Sequence, residues 1–451
     1  TDVVPSVGPG KQNYQRTRNI AAFVSAELGW KNMLYLTATG RFDWASQLVN
    51  NGKTDVIPYP SVGLSGIISE MVKLPDFFTY LKVRASYTEV GSPITQVGIT
   101  PGTITDQMNG GVINPISTYP YPDFKPERTK SYELGINAHF WGGRITFDGT
   151  FYQSNTYNQT FLSSMSPATG YSGFYIQAGN VRNRGVEMSL GFNDTFSKVK
   201  YSTHLTYTAN RNKIVEMVHD YRNPIDGTTV NITELQLQEA GGVFLKEGYS
   251  MSDYFVKGIL QRGRDGKLVE EGNGYQVDRS QRIRLGSADP DFTMGWRHDL
   301  NYKNFSLGLM FTGRFGGVVT SQTQAFMDAF GVSKVSAEAR DNGGVWVDGH
   351  QYDAERYYNT VGGQSLMAYY TYDATNVRLQ ELSLSYSLPK KWLGGIFEYA
   401  NVSLIGRNLL MLYHAAPFDS DVTSSTGTYG RSDFFMAPSA RNIGFSIKFG
   451  L

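Results

Sequence analysis

The 451-residue chain contains no cysteine, which removes disulfides, thiol nucleophiles and cysteine-ligated zinc together. This leaves the compartment open, because an oxidising periplasm permits disulfides without requiring them. No apolar run reaches the roughly eighteen residues that a helical membrane span needs, and mean hydropathy is negative. If the chain crosses a bilayer, a β-barrel is the remaining solution, because backbone polar groups in lipid must be satisfied within the protein. An excess of one charge is missing too. The 41 Lys and Arg balance 40 Asp and Glu without long blocks of either, so nucleic acid is not expected as a partner. The opening residues Thr1-Asp-Val-Val-Pro-Ser6 have neither the basic nor the apolar region of a secretory signal, so a processed or partial chain is expected.

What is abundant is Tyr (29), Phe (26) and Gly (49), with aromatics at 14% but hydrophobic residues at only 40%. That balance favours strands and turns over an average globular enzyme. Period-two alternation recurs throughout. In the last eleven residues Ile443, Phe445, Ile447, Phe449 and Leu451 take one parity, and Asn442, Gly444, Ser446, Lys448 and Gly450 the other. The same pattern appears at 34–43, 81–87, 134–140, 145–151, 186–192, 201–207, 305–314, 382–388 and 400–404. Successive side chains in a strand point to opposite faces, so each segment has one face for lipid and one for water.

Connections come in two alternating sizes. Short ones fall at 29–32, 75–79, 141–144, 194–198, 301–304 and 389–395, and long ones near 46–56, 92–126, 155–179, 215–250, 318–372 and 412–433. This is the pattern of a transmembrane antiparallel barrel with tight periplasmic turns and long extracellular loops. Placing two further strands near 251–260 and 275–285 gives about fifteen strands, an odd number that cannot close as an antiparallel barrel. One short helix is expected within Gln324 to Ala339.

Enzymatic motifs are sparse. His139, His204, His219, His298, His350 and His414 fall at no metal-ligand or HExxH spacing, and neither a nucleophile elbow nor a phosphate loop is present. The neighbours His219-Asp220 and His298-Asp299 would point to opposite faces of a strand and could not act on one atom. No catalytic residue is assigned. Loop aromatics suited to stacking on a sugar or packing on a peptide are Tyr119, Tyr121, Tyr171, Phe174, Tyr175, Trp346, Tyr352, Tyr357 and Tyr358. Tyr369, Tyr370 and Tyr372 fit better in an interfacial girdle. Arg41, Lys82, Arg84, Glu133, Asp148, Glu187 and Arg314 take the polar parity and are expected to line a lumen, since charge facing lipid is costly.

Several strings resemble a known family. Phe124-Lys-Pro-Glu-Arg-Thr-Lys-Ser-Tyr-Glu-Leu-Gly-Ile136 is similar to the opening of a barrel hairpin in TonB-dependent transporters. Pro167 to Tyr171, Ala178 to Glu187, Asp289 to Gly295, Leu382 to Pro389 and Ile405 to Leu410 resemble the SusC/RagA branch of the Bacteroidetes, in the expected order. The resemblance implies an outer-membrane importer energised through TonB and capped by a SusD-like surface lipoprotein. It puts oligosaccharide ahead of oligopeptide as substrate; a passive porin-like channel or a structural barrel is the alternative. Full-length members carry a plug and a barrel of about 22 strands. Residues 1–451 would then be the C-terminal portion of such a barrel, with the plug and first strands absent. Many relatives place a calcium-loop-like string before the segment matching Asp289 to Gly295. Here Tyr275 and Gln281 replace acidic ligands, so neither a metal nor a cofactor is expected.

Overall fold

A computed structural model of the chain describes residues 18–50, 53–92, 125–164, 173–222, 229–236, 244–395, 397–423 and 432–450, with Ala168 and three short pairs between 108 and 119. Its main body is an antiparallel wall whose strands pair in chain order. The first eight are β1 (Asn19–Trp30), β2 (Leu34–Asn50), β3 (Lys53–Ile67), β4 (Phe78–Ser92), β5 (Glu127–Phe140), β6 (Ile145–Ser164), β7 (Gly173–Phe196) and β8 (Val199–Glu216). A separate two-stranded sheet follows, β9 (Asp253–Leu260) with β10 (Val277–Ser287). The wall resumes with β11 (Phe292–Tyr302), β12 (Phe305–Phe315), β13 (Asn376–Ser387), β14 (Tyr399–His414) and β15 (Asn442–Gly450). Among the described residues β1 and β15 each pair on one side only.

Register carries the alternation from strand to strand. Leu28, Leu36, Leu64, Ala85, Leu134, Phe151 and Val186 stand in one cross-strand row. Leu307, Leu384, Leu404 and Phe445 form another. Both rows lie on the same face, and its side chains are open: Leu28 is 67% exposed and Phe445 79%. A contiguous apolar surface of this extent is incompatible with water and suits hydrocarbon. The opposite face carries Thr39, Ser61, Arg84, Asn137, Asp148, Ser189, Thr206 and Asp299. Tight turns join strands at one end; Lys31 and Asn32 both take positive φ, the I′ geometry whose twist matches a two-residue hairpin.

Three features differ from the sequence expectation. The two strands expected near 251–285 do not enter the wall, which passes directly from β8 to β11 through Val199 opposite Tyr302. The second of them is expected only from counting strand directions between turns, and such a count does not say which sheet a strand joins. The loops expected near 46–56 and 155–179 are largely strand: β6 and β7 run for 20 and 24 residues and remain paired out to Ser164 opposite Gly173. The single helix expected over 324–339 is two, α1 (Gln322–Ala329) and α2 (Lys334–Asp341), with a third, α3 (Ala354–Val361), further on. Gly331 at positive φ separates the first two, and Ser333 restarts the helix by accepting a hydrogen bond from the Ser336 amide.

Candidate functional site

Several of the charged side chains on the polar face of the wall lie along it in pairs. Arg84 on β4 reaches across β5 to Asp148 on β6 with two contacts of 3.1 Å, and Asn137 of β5 donates to the same carboxylate at 2.9 Å. Gly135, opposite Arg84, makes this possible, because a Cβ there would collide with the guanidinium. Further round, Arg297 binds Asp299 at 2.8 Å and lies 4.0 Å from Glu381, which in turn binds Arg407 at 3.1 Å. The series bridges β11, β13 and β14. Ser189 and His204 meet at 3.1 Å on the same face.

Arg41, Lys82, Arg84, Glu133, Asp148, Glu187 and Arg314 all occupy the polar parity by register. Arg41 is held by Asp43 at 2.7 Å, and Arg314 donates to the Ala288 carbonyl at 2.5 Å. Arg297, Asp299, Glu381 and Arg407 were not singled out from sequence. Their period-two spacing within strands was the available signal. His298, between Arg297 and Asp299, takes the apolar parity, where it meets the Tyr201 hydroxyl at 2.8 Å and packs on Trp296. The His-Asp neighbours thus face opposite sides of the wall.

Above the long-loop end sits a folded cap made of α1, α2, α3 and the segment 260–276. Its core is Leu260, Leu268, Tyr275, Ala325, Tyr352, Ala354, Tyr357, Tyr358, Val361, Leu366 and Tyr370. Tyr352 accepts from the Leu268 amide at 3.0 Å and Tyr369 from the Leu260 amide at 2.9 Å. Tyr352, Tyr357 and Tyr358, expected from sequence to meet a ligand, are buried in this core, as is Tyr370, which was expected in an interfacial girdle; Tyr372 packs against it. Burial raises the Tyr357 and Tyr370 hydroxyls far above their ordinary range and pushes Tyr372 up to about 12. Trp346 is 65% exposed on the cap. Tyr175 is half-buried in β7. Tyr119 and Phe174 are adjacent in a parallel backbone pairing, while Tyr121 and Tyr171 lie outside the described residues. The segment where relatives carry calcium-loop acids is a tight hairpin whose Tyr275 is in the cap core and whose Glu270 binds Arg356 at 3.2 Å.

A second anchor lies where β13 and β14 meet the loop after β14. Arg378 is 4% exposed and holds Asp419 and Asp421, the latter at 2.8 Å. Ser439 donates to Asp419 at 2.6 Å. Burial opposes charge on Asp419, but the hydrogen bonds from Arg378 and Ser439 and the Arg378 charge outweigh it and hold the carboxyl at about 2.

Comparison with known proteins accounts for this architecture. Residues 1–409 match the family model described as TonB dependent receptor-like, beta-barrel. The chain belongs to that family. TonB-dependent receptor P3 of Formosa agariphila is 24% identical over 470 residues, covering 96% of this chain and 46% of the relative. TonB-dependent receptor P26 of the same organism is 25% identical over 414 residues, covering 85% and 40%. The chain thus spans less than half the length of these relatives. Among solved structures, the RagAB peptide transporter superposes with a TM-score of 0.72 at 18% identity, covering 96% of this chain and 48% of that one. RagAB in its open-open state gives 0.70 at 19% identity, covering 96% and 47%. The TonB-dependent barrel therefore has the SusC/RagA-type fold that its sequence strings suggested, and its apolar face is the barrel exterior.

Proposed function

We propose that this chain forms wall and extracellular cap of an outer-membrane importer of oligosaccharides or oligopeptides, energised through TonB and covered by a SusD-like lipoprotein. The observation that carries this reading is the division of the wall: one face is predominantly apolar, and the other carries several clusters of paired charges and hydroxyls. Such an interior offers a polar solute exchangeable hydrogen-bond partners along the wall. The folded cap above it supplies a rigid rim, with Trp346 as an open aromatic face for a ligand or the lipoprotein.

Burial of Tyr352, Tyr357 and Tyr358 leaves fewer open aromatic faces for either substrate class. The similarity to RagAB, described as a peptide transporter, sets oligopeptide level with oligosaccharide. Uptake should be abolished in cells lacking TonB; uptake that continues there would identify a passive channel instead. Calorimetric titration with an oligosaccharide series and an oligopeptide series then separates the substrate classes, and Trp346→Ala should weaken whichever binds by roughly tenfold, the worth of one aromatic platform. Co-purification with a surface lipoprotein tests the proposed partner.

A further inference from the structure

The exterior face changes character abruptly at the upper end of β7 and β8. On the apolar parity of β8, Val199, Tyr201, Thr203, Leu205, Tyr207 and Ala209 follow one another, then come Arg211 and Lys213. From Val199 to Ala209 is roughly 33 Å along the strand at about 3.3 Å per residue. A tilt of about 40° converts this to roughly 25 Å of height, the thickness of the exterior apolar band. The cations therefore begin where hydrocarbon ends. Register places Arg184 opposite Arg211 and Arg182 opposite Lys213, a two-by-two array of like charges directly across a strand pair. Such pairs destabilise a sheet unless something neutralises them. Among the described residues only Arg211 of the four has an acid, Asp291 at 2.9 Å and largely in solvent.

The array forms the basic side of a cleft of about 680 Å³ beside the edge of β8, where pairing with β11 ends at Thr208 opposite Thr293. The other side comes from Ser250, Asp253 and Arg284. Of the three acids lining the cleft, Asp253 is taken by Arg284 at 2.8 Å, Asp291 by Arg211, and Asp289 accepts from Ser252. Two positive charges remain in excess over the lining.

We infer that this cleft binds the phosphorylated headgroup of an outer-leaflet glycolipid, gripping phosphate with Arg182, Arg184, Arg211 and Lys213. A transported solute is the weaker match, because the four cations share the parity of Val186, Met188 and Leu190 on the barrel exterior, while Asn210 and Asn212 of the opposite parity complete the lining. Basic side chains just beyond an apolar band are the chemistry by which membrane proteins hold anionic headgroups, and guanidinium forks suit phosphate oxygens. The inference rests on the barrel reading of the wall.

The test uses the full chain in neutral detergent, titrated with phosphorylated glycolipid, its dephosphorylated form and inorganic phosphate, with bound lipid counted by native mass spectrometry. Phosphorylated glycolipid should bind, and R184Q/R211Q should weaken it about twenty-fivefold, at roughly fivefold per surface charge. R184K/R211K keeps the charge but loses the guanidinium forks and should bind between the parent and R184Q/R211Q. Without lipid, R184Q/R211Q should melt higher than the parent because cross-strand repulsion is gone. Equal binding by the dephosphorylated lipid, no loss in R184Q/R211Q, or displacement by equimolar inorganic phosphate would each overturn the headgroup site. A chain that stays dispersed without detergent would instead overturn the barrel reading, so the two failures are distinguishable.

Discussion

Asp419 shows how one carboxylate fastens a long loop to the wall. It sits about two pH units below its ordinary value because Arg378 and Ser439 stabilise the anion more than burial opposes it. A depressed folded-state value contributes stability above the unfolded value near 4, and the contribution is lost as pH falls towards 2. The amount is about 2 kcal/mol. Asp419→Asn should lower the unfolding midpoint at pH 7 and flatten its decline between about pH 4 and 2, as followed by thermal melts in detergent across that range; a parallel decline in parent and variant would remove Asp419 from the account. Arg84 and Asp148 were legible as polar-face charges from alternation alone, but their union across β5 was not. It depends on register and on Gly135 giving space, and neither is encoded in the spacing of the two residues.

At the scale of elements, the wall strands were readable because lipid imposes a strict requirement on every second residue. Where that requirement ends, so does legibility. Above the apolar band β6 and β7 continue as strands through Asn155 to Ser164 and Gly173 to Asn180, where polar composition suggested loop. Tyrosine is equally ambiguous: the same side chain suits a sugar platform, a headgroup girdle or, as with Tyr357, a small core. That core should behave as a unit of its own. Leu366 is 1% exposed within it, and Leu366→Ala should cost about 3 kcal/mol. Limited proteolysis should then cut within 318–372 while the wall resists; cleavage spread evenly over the chain would show that cap and wall unfold together.

For the whole molecule, the decisive property is which face meets lipid. Phe445 and Ser446 are neighbours on β15 with opposite parity, opposite Leu404 and Ser403 respectively. Phe445→Arg should destabilise the protein by about 2–4 kcal/mol in folding titrations with lipid vesicles, whereas Ser446→Arg should change stability by less than about 1 kcal/mol. Equal effects would contradict the assignment of faces. The paired charges on the other face also bear on rate. Arg84 is matched to Asp148, and Arg297 and Arg407 share Asp299 and Glu381, so under the proposed importer function a solute passing these groups would meet dipoles that can swap partners. Stops at these pairs would be shallow and dwell times beside them short.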